Sequence, residues 1–168
     1  MVREIPVSRG LVALVDDEDY ERVAALKWHA DPVDYQHLER NDYYAKRTMN
    51  NDRKLFLHRF ILNITDGRRV DHRNGDGLDC RRSNLRIASK SQNSANAKKR
   101  IDSKQPFKGI RKSSSGRWQS RIRINGQVIN LGSFDTAEDA ARAYDDAARK
   151  HFGPFARLNL PESGERAA

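Results

Sequence analysis

A chain of 168 residues with 37% hydrophobic and 33% charged side chains holds apolar material for one or two small cores. Its net charge of +9 and pI near 9.9 point to a polyanionic partner. No apolar run approaches the roughly 18 residues of a membrane-spanning helix, and with Cys80 as the single cysteine neither an internal disulfide nor a Cys-x-x-Cys zinc knuckle can form.

Residues 4–15 alternate loosely through Ile5, Val7, Leu11, Ala13 and Val15 about an Arg9-Gly10 turn, the pattern of a short hairpin. Asp16 or Asp17 then N-caps a helix over about 17–26, with acids in the first turn where the helix dipole favours them. Val23, Leu26 and Tyr20 fall at helical spacing and face inward. The acids Asp16, Asp17, Glu18 and Asp19 also suggest a second metal site, although acidic helix starts are common. They interrupt any signal-peptide pattern, so a cytoplasmic location is expected. Trp28 and Tyr35 are expected in a core. Tyr43–Met49 and Lys54–Leu57 read as a hairpin turning at Asn50-Asn51-Asp52, and a short helix begins at His58 and closes at Thr65-Asp66-Gly67.

Next comes Val70-Asp71-His72-Arg73-Asn74-Gly75-Asp76-Gly77, continued through Asn84-Leu85-Arg86 to Asn93. The spacing predicts a strand ending near His72, a turn and loop over 74–81, a return strand at Leu85–Ala88, and a helix from about Ser91. An acid stands beside a histidine, with asparagines 12 and 21 residues beyond the histidine. Metal-assisted phosphodiester cleavage needs a hard cation on oxygen ligands and a base that titrates near neutrality. Asp71 and Asn93 offer the oxygens, and His72 offers the base. Two other readings compete: Asn-Gly and Asp-Gly form turns regardless of chemistry, and Asn74, Asp76 and Gly77 fit three positions of a calcium loop. That loop fails at its first position, His72, and at its twelfth, Ser83, where a bidentate Glu is needed.

At these residues the chain resembles the HNH endonucleases of the phage and homing-endonuclease type, over roughly residues 57–97. The resemblance implies a β-hairpin and helix gripping one Mg²⁺ (or Mn²⁺), with Asp71 and Asn93 as ligands and His72 activating water. Asn84 would brace the loop that aims His72, and His58 is a supporting catalytic candidate. Residues 1–56 resemble the lead-in of many phage members and would support the site.

Lys90, Lys98, Lys99 and Arg100 flank the helix after Ser91, and the last three are candidates for phosphate contact. A polar stretch with a proline stop, residues 101–106, reads as a linker. Phe107–Lys112, Arg117–Ile124 and Gln127–Phe134 then read as three strands, with turns at Ser113–Gly116 and Asn125-Gly126. Thr136-Ala137-Glu138-Asp139 starts a helix with Ala140, Ala141, Tyr144, Ala147 and Ala148 at helical spacing, ended by Gly153-Pro154. Alternation puts Gln119, Arg121 and Arg123 on one strand face and Ile122 and Ile124 on the other. At Gly109-Ile110-Arg111, Trp118, Ile122-Arg123, Leu131-Gly132-Ser133-Phe134, Thr136 to Ala141, Ala143-Tyr144-Asp145 and Leu158-Asn159-Leu160-Pro161, residues 106–161 resemble the plant ethylene-response-factor (APETALA-type) DNA-binding domain. That family lays its sheet in the major groove. Arg111, Arg117, Trp118, Gln119, Arg121, Arg123 and Asn130 are therefore the candidate DNA contacts. Arg121 replaces a common glutamate and Asn130 a tryptophan, so a plant-type target sequence does not carry over.

The expectation is an α+β chain: a β-rich prefix (1–56), a ββα-metal nuclease core (57–100), a linker (101–106), a three-stranded antiparallel sheet backed by one helix (107–161) and a tail (162–168). It would cut double-stranded DNA, without a membrane or an evident protein partner. The alternatives are a non-catalytic DNA-binding transcriptional regulator and a basic RNA-binding protein.

Overall fold

Strand β1 (Val2–Pro6) pairs antiparallel with β2 (Val12–Asp16) across a 3-10 turn at Ser8–Gly10, where Arg9 and Gly10 both take positive φ. The computed structural model describes residues 1–32, 42–50, 52–99, 103–165 and 167, so Tyr35, Asn51, Arg100 and the linker start Ile101-Asp102 lie outside the described residues. The fold mixes helices with small sheets, and the chain divides into two units, Met1–Ile87 and Ala88–Ala168. That boundary falls inside the stretch 57–100 that the resemblance treats as one nuclease core.

In the first unit α1 (Asp17–Ala24) follows β2, and β3 (His29–Pro32), β4 (Tyr43–Thr48) and β5 (Lys54–Phe56) form an antiparallel sheet in that order. Short helix α2 (Leu57–Ile61) leads to β6 (Arg69–His72), which pairs with β7 (Leu85–Ala88). The alternating residues of β1 and β2 bury Ile5, Ala13 and Val15, which pack with Val23, Trp28, Ala45, Leu57, Ile61, Cys80 and Leu85 in one core. Leu57 and Ile61 are fully buried, each stabilising the unit by about 1.5–3 kcal/mol through removal from water. The prefix and the β6–β7 hairpin therefore share a single core.

Strand β3 has no clear sequence signal. His29-Ala30-Asp31-Pro32 is short and polar and ends in proline, which a strand at the edge of its sheet tolerates. Helix α1 stops at Ala24 rather than near 26, and Asp16 occupies its N-cap position without a capping bond. The Asp16 carboxylate instead accepts from the Arg82 backbone N–H at 2.7 Å. The suggested second metal site is an ion-pair cluster: Asp19 is buried, with Arg82 at 2.7 Å and Arg22 at 2.7 Å. Burial works against that carboxylate's charge, but the two arginines outweigh it and hold Asp19 below the usual range.

In the second unit α3 (Lys90–Asn96) starts one residue earlier than expected. Ser89 caps it: its hydroxyl accepts from the Gln92 N–H, while the Gln92 side chain accepts from the Ser89 N–H. Strands β8 (Ile110–Lys112), β9 (Trp118–Ile124) and β10 (Gln127–Phe134) form an antiparallel sheet in the order β10-β9-β8, backed by α4 (Ala137–Phe152). Asn125 and Gly126 both take positive φ, as a two-residue type I′ hairpin requires. Thr136 caps α4 by accepting from the Asp139 N–H. Ala140, Ala141, Tyr144 and Ala148 are buried on α4, and Gly109 lies so close to Tyr144 that a Cβ there would meet its ring at 2.2 Å.

The first strand of this sheet is shorter than the expected 107–112. Before Gly109, Lys108 bonds through its backbone N–H and C=O to the side-chain amide of Asn159, which takes the place of a strand partner. The Lys108 ammonium also donates to the carbonyls of Ala95 and Ala97 at the C-terminal end of α3, where a cation suits the helix dipole. Lys108→Met keeps the stem but leaves those carbonyls without the ammonium. Unfolding of this unit should become easier by about 1–3 kcal/mol, read as a lower urea midpoint at unchanged slope.

Candidate functional site

Asp71 and His72 end β6 and are both buried. The loop that follows is held by asparagine side chains. The Asn84 side-chain oxygen accepts from the Asn74 backbone N–H at 2.9 Å, and its amide nitrogen donates to the Asp79 carbonyl at 2.7 Å and to the Asn74 side-chain oxygen at 3.0 Å. The Arg73 N–H donates to the Asn84 carbonyl at 2.8 Å. Asn74 donates in turn to the Asp79 carboxylate, which Arg81 grips from two nitrogens. Strand β2 ties the far side of the loop, since Leu14 donates to the Leu78 carbonyl and accepts from the Cys80 N–H. Gly77 passes so near β4 that a Cβ there would lie 2.4 Å from the Tyr43 carbonyl and 2.5 Å from the Tyr44 ring; any side chain would push the loop off the strand.

His72 lies in a cluster of rings. His58 meets it edge-on at 5.0 Å between centroids, Tyr44 lies 5.6 Å from each histidine, and Phe56 stacks on His58 at 5.4 Å. The Cys80 thiol is 4.0 Å from His72 Nε2, and burial pushes it up, so it stays a neutral thiol. Burial pushes His72 down to about 4, against the opposing pull of Asp71, Asp76 and Asp79. Burial, then the neighbouring His72 and Arg59, push His58 down to about 3. Both rings are thus neutral near pH 7, and His72 titrates well below the near-neutral value expected of a general base.

On the β6–β7 ribbon Arg86 binds Asp71, with Nε donating to Oδ2 at 2.7 Å and Nη2 at 2.7 Å from the same oxygen. Asp71 is a hard oxygen donor of the kind Mg²⁺ or Mn²⁺ takes. The buried Nδ1 of His58 has no hydrogen-bond partner among the described residues. The carboxylate chemistry of Asp71 suits a small divalent cation, with its Oδ2 already engaged by Arg86. No three His, Cys, Asp or Glu side chains cluster as a metal cage among the described residues. Asn93 lies half-buried on α3, in the second unit. Its pairing with Asp71 on one ion rests on the resemblance.

The C-terminal candidates divide by strand face. Arg111 pairs with Gln119, Asn130 with Arg121 and Val128 with Arg123, so these side chains share the face opposite buried Ile110, Ser120 and Ile122. Arg111, Arg121, Arg123 and Asn130 are exposed on it; Arg111 also donates to Gln119 at 2.8 Å. Trp118 points the other way, half-buried against Ile110, Ala137 and Ala140, so it packs in the core and is not with the arginines. Arg117 lies at the rim, bonded to the Ser133 carbonyl and to Asp135. Lys98 and Lys99 are half-buried after α3, and Lys99 donates to the Gln105 carbonyl.

Three contributors lacked a role in the sequence reading. Arg86 stood in the Asn-Leu-Arg motif without a function, and Tyr44 looked like any strand aromatic. Asp79 looked like a loop acid. Only Arg86 had a usable signal: it lies on the return strand of the hairpin that begins with Asp71.

The buried histidines make stability depend on pH. Their folded pKa values lie below the unfolded value near 6.5, so the unfolded chain binds the extra protons as pH falls. The stability is full above about 6.5 and is lost toward 4 and 3. His58→Phe should flatten the fall in urea midpoint between pH 6.5 and 4.5 by about one proton, roughly 1.4 kcal/mol per pH unit.

The HNH endonuclease family model matches residues 63–95. An uncharacterized HNH endonuclease of Acanthamoeba polyphaga mimivirus is 31% identical over 157 residues, covering 90% of this chain and 76% of the viral protein. The C-terminal part has plant relatives. Dehydration-responsive element-binding protein 2D of Arabidopsis thaliana is 52% identical over 59 residues, 34% of this chain and 29% of that protein. Ethylene-responsive transcription factor 3 of Nicotiana tabacum is 51% identical over 57 residues, 33% of this chain and 25% of its own length. The chain spans less than a third of either plant protein. The viral relative matches along nearly the whole chain, across both units, and with it the family match on the Asp71–His72 hairpin settles the assignment: the chain belongs to the HNH endonuclease family.

Proposed function

We propose that the chain is a metal-dependent DNA endonuclease whose C-terminal sheet holds the duplex. The observation that carries this reading is His72, buried and neutral beside Asp71, at the end of β6 before a loop that the Asn84 side chain ties at Asn74 and Asp79. Asp71 would hold a divalent cation, with Asn93 the second ligand that the resemblance implies. When bound, that ion supplies Lewis-acid polarisation of the scissile phosphate. His72 takes a proton from the attacking water as its oxygen bonds to phosphorus. The bond to the 3′ oxygen breaks, a solvent water protonates that oxygen and His72 returns its proton to solvent, leaving 5′-phosphate and 3′-hydroxyl ends. Asn84 keeps the His72 backbone and ring in register, and the Tyr44, Phe56 and His58 rings exclude bulk water from its inner side.

The names of the plant relatives, a responsive element-binding protein and a transcription factor, support DNA as the partner of the sheet. So does the exposed row of Arg111, Arg121 and Arg123 opposite the α4 face. Arginine forks suit guanine edges as well as phosphates. Among the described residues no helix is long and apolar enough to cross a membrane.

A supercoiled-plasmid nicking assay tests the proposal. Wild type should nick with Mg²⁺ or Mn²⁺ and not with EDTA, and His72→Ala should nick about 10²–10⁴ times more slowly while shifting the plasmid on a gel as wild type does. A wild-type protein that shifts the plasmid but never nicks it would make the chain a DNA-binding regulator. For the sheet, five phosphate-neutralising cations give a log–log salt slope of roughly −4 to −5. Arg121→Ala should weaken binding and make the slope shallower by about 1 if it contacts phosphate, while leaving nicking at saturating protein close to wild type.

A further inference from the structure

The β6–β7 ribbon buries an ion pair. The side chains of Arg86 and Asp71 are 7% and 5% exposed, and two guanidinium nitrogens converge on one carboxylate oxygen, Oδ2, at 2.7 Å. Two charges taken out of water are poor stabilisers, since an apolar pair of the same volume commonly serves a fold as well. The pair therefore calls for a reason besides stability, and its place supplies one: Asp71 is the carboxylate that the proposed reaction gives to the cation. Arg86 Nε holds Asp71 Oδ2 by a hydrogen bond, with Nη2 at the same distance, and a planar guanidinium sets the position of that oxygen more tightly than a lysine ammonium on its flexible stem. The guanidinium also stands within hydrogen-bond distance of Oδ2, one of the two oxygens that a cation would use, as a second positive charge drawing on the same carboxylate.

We infer that Arg86 is a positioning residue for the proposed cleavage, which holds Asp71 in the orientation that receives the divalent ion and competes with that ion for the carboxylate's charge. The inference rests on the nuclease reading above. It separates two effects of one side chain. The charge of Arg86 lowers metal affinity, because like charges a few ångströms apart repel strongly where water is excluded. The geometry of Arg86 raises turnover, because the ion is useful only where Asp71 places it.

The test uses the full chain. Mn²⁺ binding without DNA is followed by the electron paramagnetic resonance signal of the free ion, and nicking is measured at saturating Mn²⁺. Arg86→Gln removes the charge but keeps a donor; it should bind Mn²⁺ about tenfold more tightly yet nick on the order of 10²-fold more slowly. Arg86→Lys keeps the charge and loses the fork; it should bind Mn²⁺ as wild type does and still nick slowly. A merely structural arginine would lower binding, nicking and thermal stability together. Arg86→Gln with native circular dichroism and unchanged or weaker Mn²⁺ binding overturns the inference, as does Arg86→Lys nicking at the wild-type rate. If Arg86→Gln does not fold, the Arg86→Lys rate decides. A wild type that neither binds Mn²⁺ nor nicks DNA removes the nuclease reading and this inference with it. A wild type that nicks, with variants that fail the signature, removes only the inference.

Discussion

The first unit depends on one side chain that does the work of backbone. Between β6 and β7 the chain makes a loop with no ladder of its own, and its polar groups must be paired as it folds against the core. Asn84 supplies several of those pairs, accepting from Asn74 and donating to the Asp79 carbonyl, while its own carbonyl receives Arg73, and backbone bonds such as Gly75 to His72 and Cys80 to Leu14 supply others. An amide suits this position because one short side chain carries both an acceptor and donors. With the loop closed, Asp79 is buried against Arg81 and Asn74, Cys80 is turned into the core, and β2 docks along Leu78 and Cys80. His72 then has no route to solvent on that side, and its low pKa follows from the packing.

Charge is spent differently in the two units. In the first, acids are matched inwardly: Asp19 by Arg22 and Arg82, Asp79 by Arg81, and Asp71 by Arg86. These arginines make little contribution to an outward field. In the second, the arginines of β8 and β9 project from the face opposite α4, where the exposed row Arg111, Arg121 and Arg123 meets water. The net charge of +9 is thus a poor guide to any single patch. Which arginines serve a polyanion follows from which of them lack an acid to hold.

The second unit shows how small residues set geometry. Alanines on α4 and the glycine at 109 let the helix and the start of β8 approach until Tyr144 fills the gap. Helix α3 belongs with this unit: Ala95 packs in its core with Ile122, Tyr144 and Phe152, the Ser91 hydroxyl receives the Asn125 N–H, and Lys108 binds the carbonyls at the helix end. The residue that the resemblance makes a metal ligand, Asn93, is therefore presented by a helix that the sheet unit anchors at both ends.

Local rules in the sequence determined much of this. Period-two alternation located β1, β2, β9 and β10, and Asn125-Gly126 fixed the last hairpin because few residues accept two positive φ values in succession. Thr136 and Asp139 fixed the start of α4, and the spacing of Asp71, His72, Asn84 and Asn93 identified the hairpin and its family. Only the tertiary structure decided the rest. Strand β3 exists because β4 offers it an edge, the acids of α1 are counter-ions because Arg82 arrives from 63 residues away, and Trp118 is a core residue because Ile110 and Ala137 close over it. Arg86 and Tyr44 act on Asp71 and His72 through contacts across strands. A linear sequence states which residues can pair, but pairing across a fold depends on which segments the core brings together.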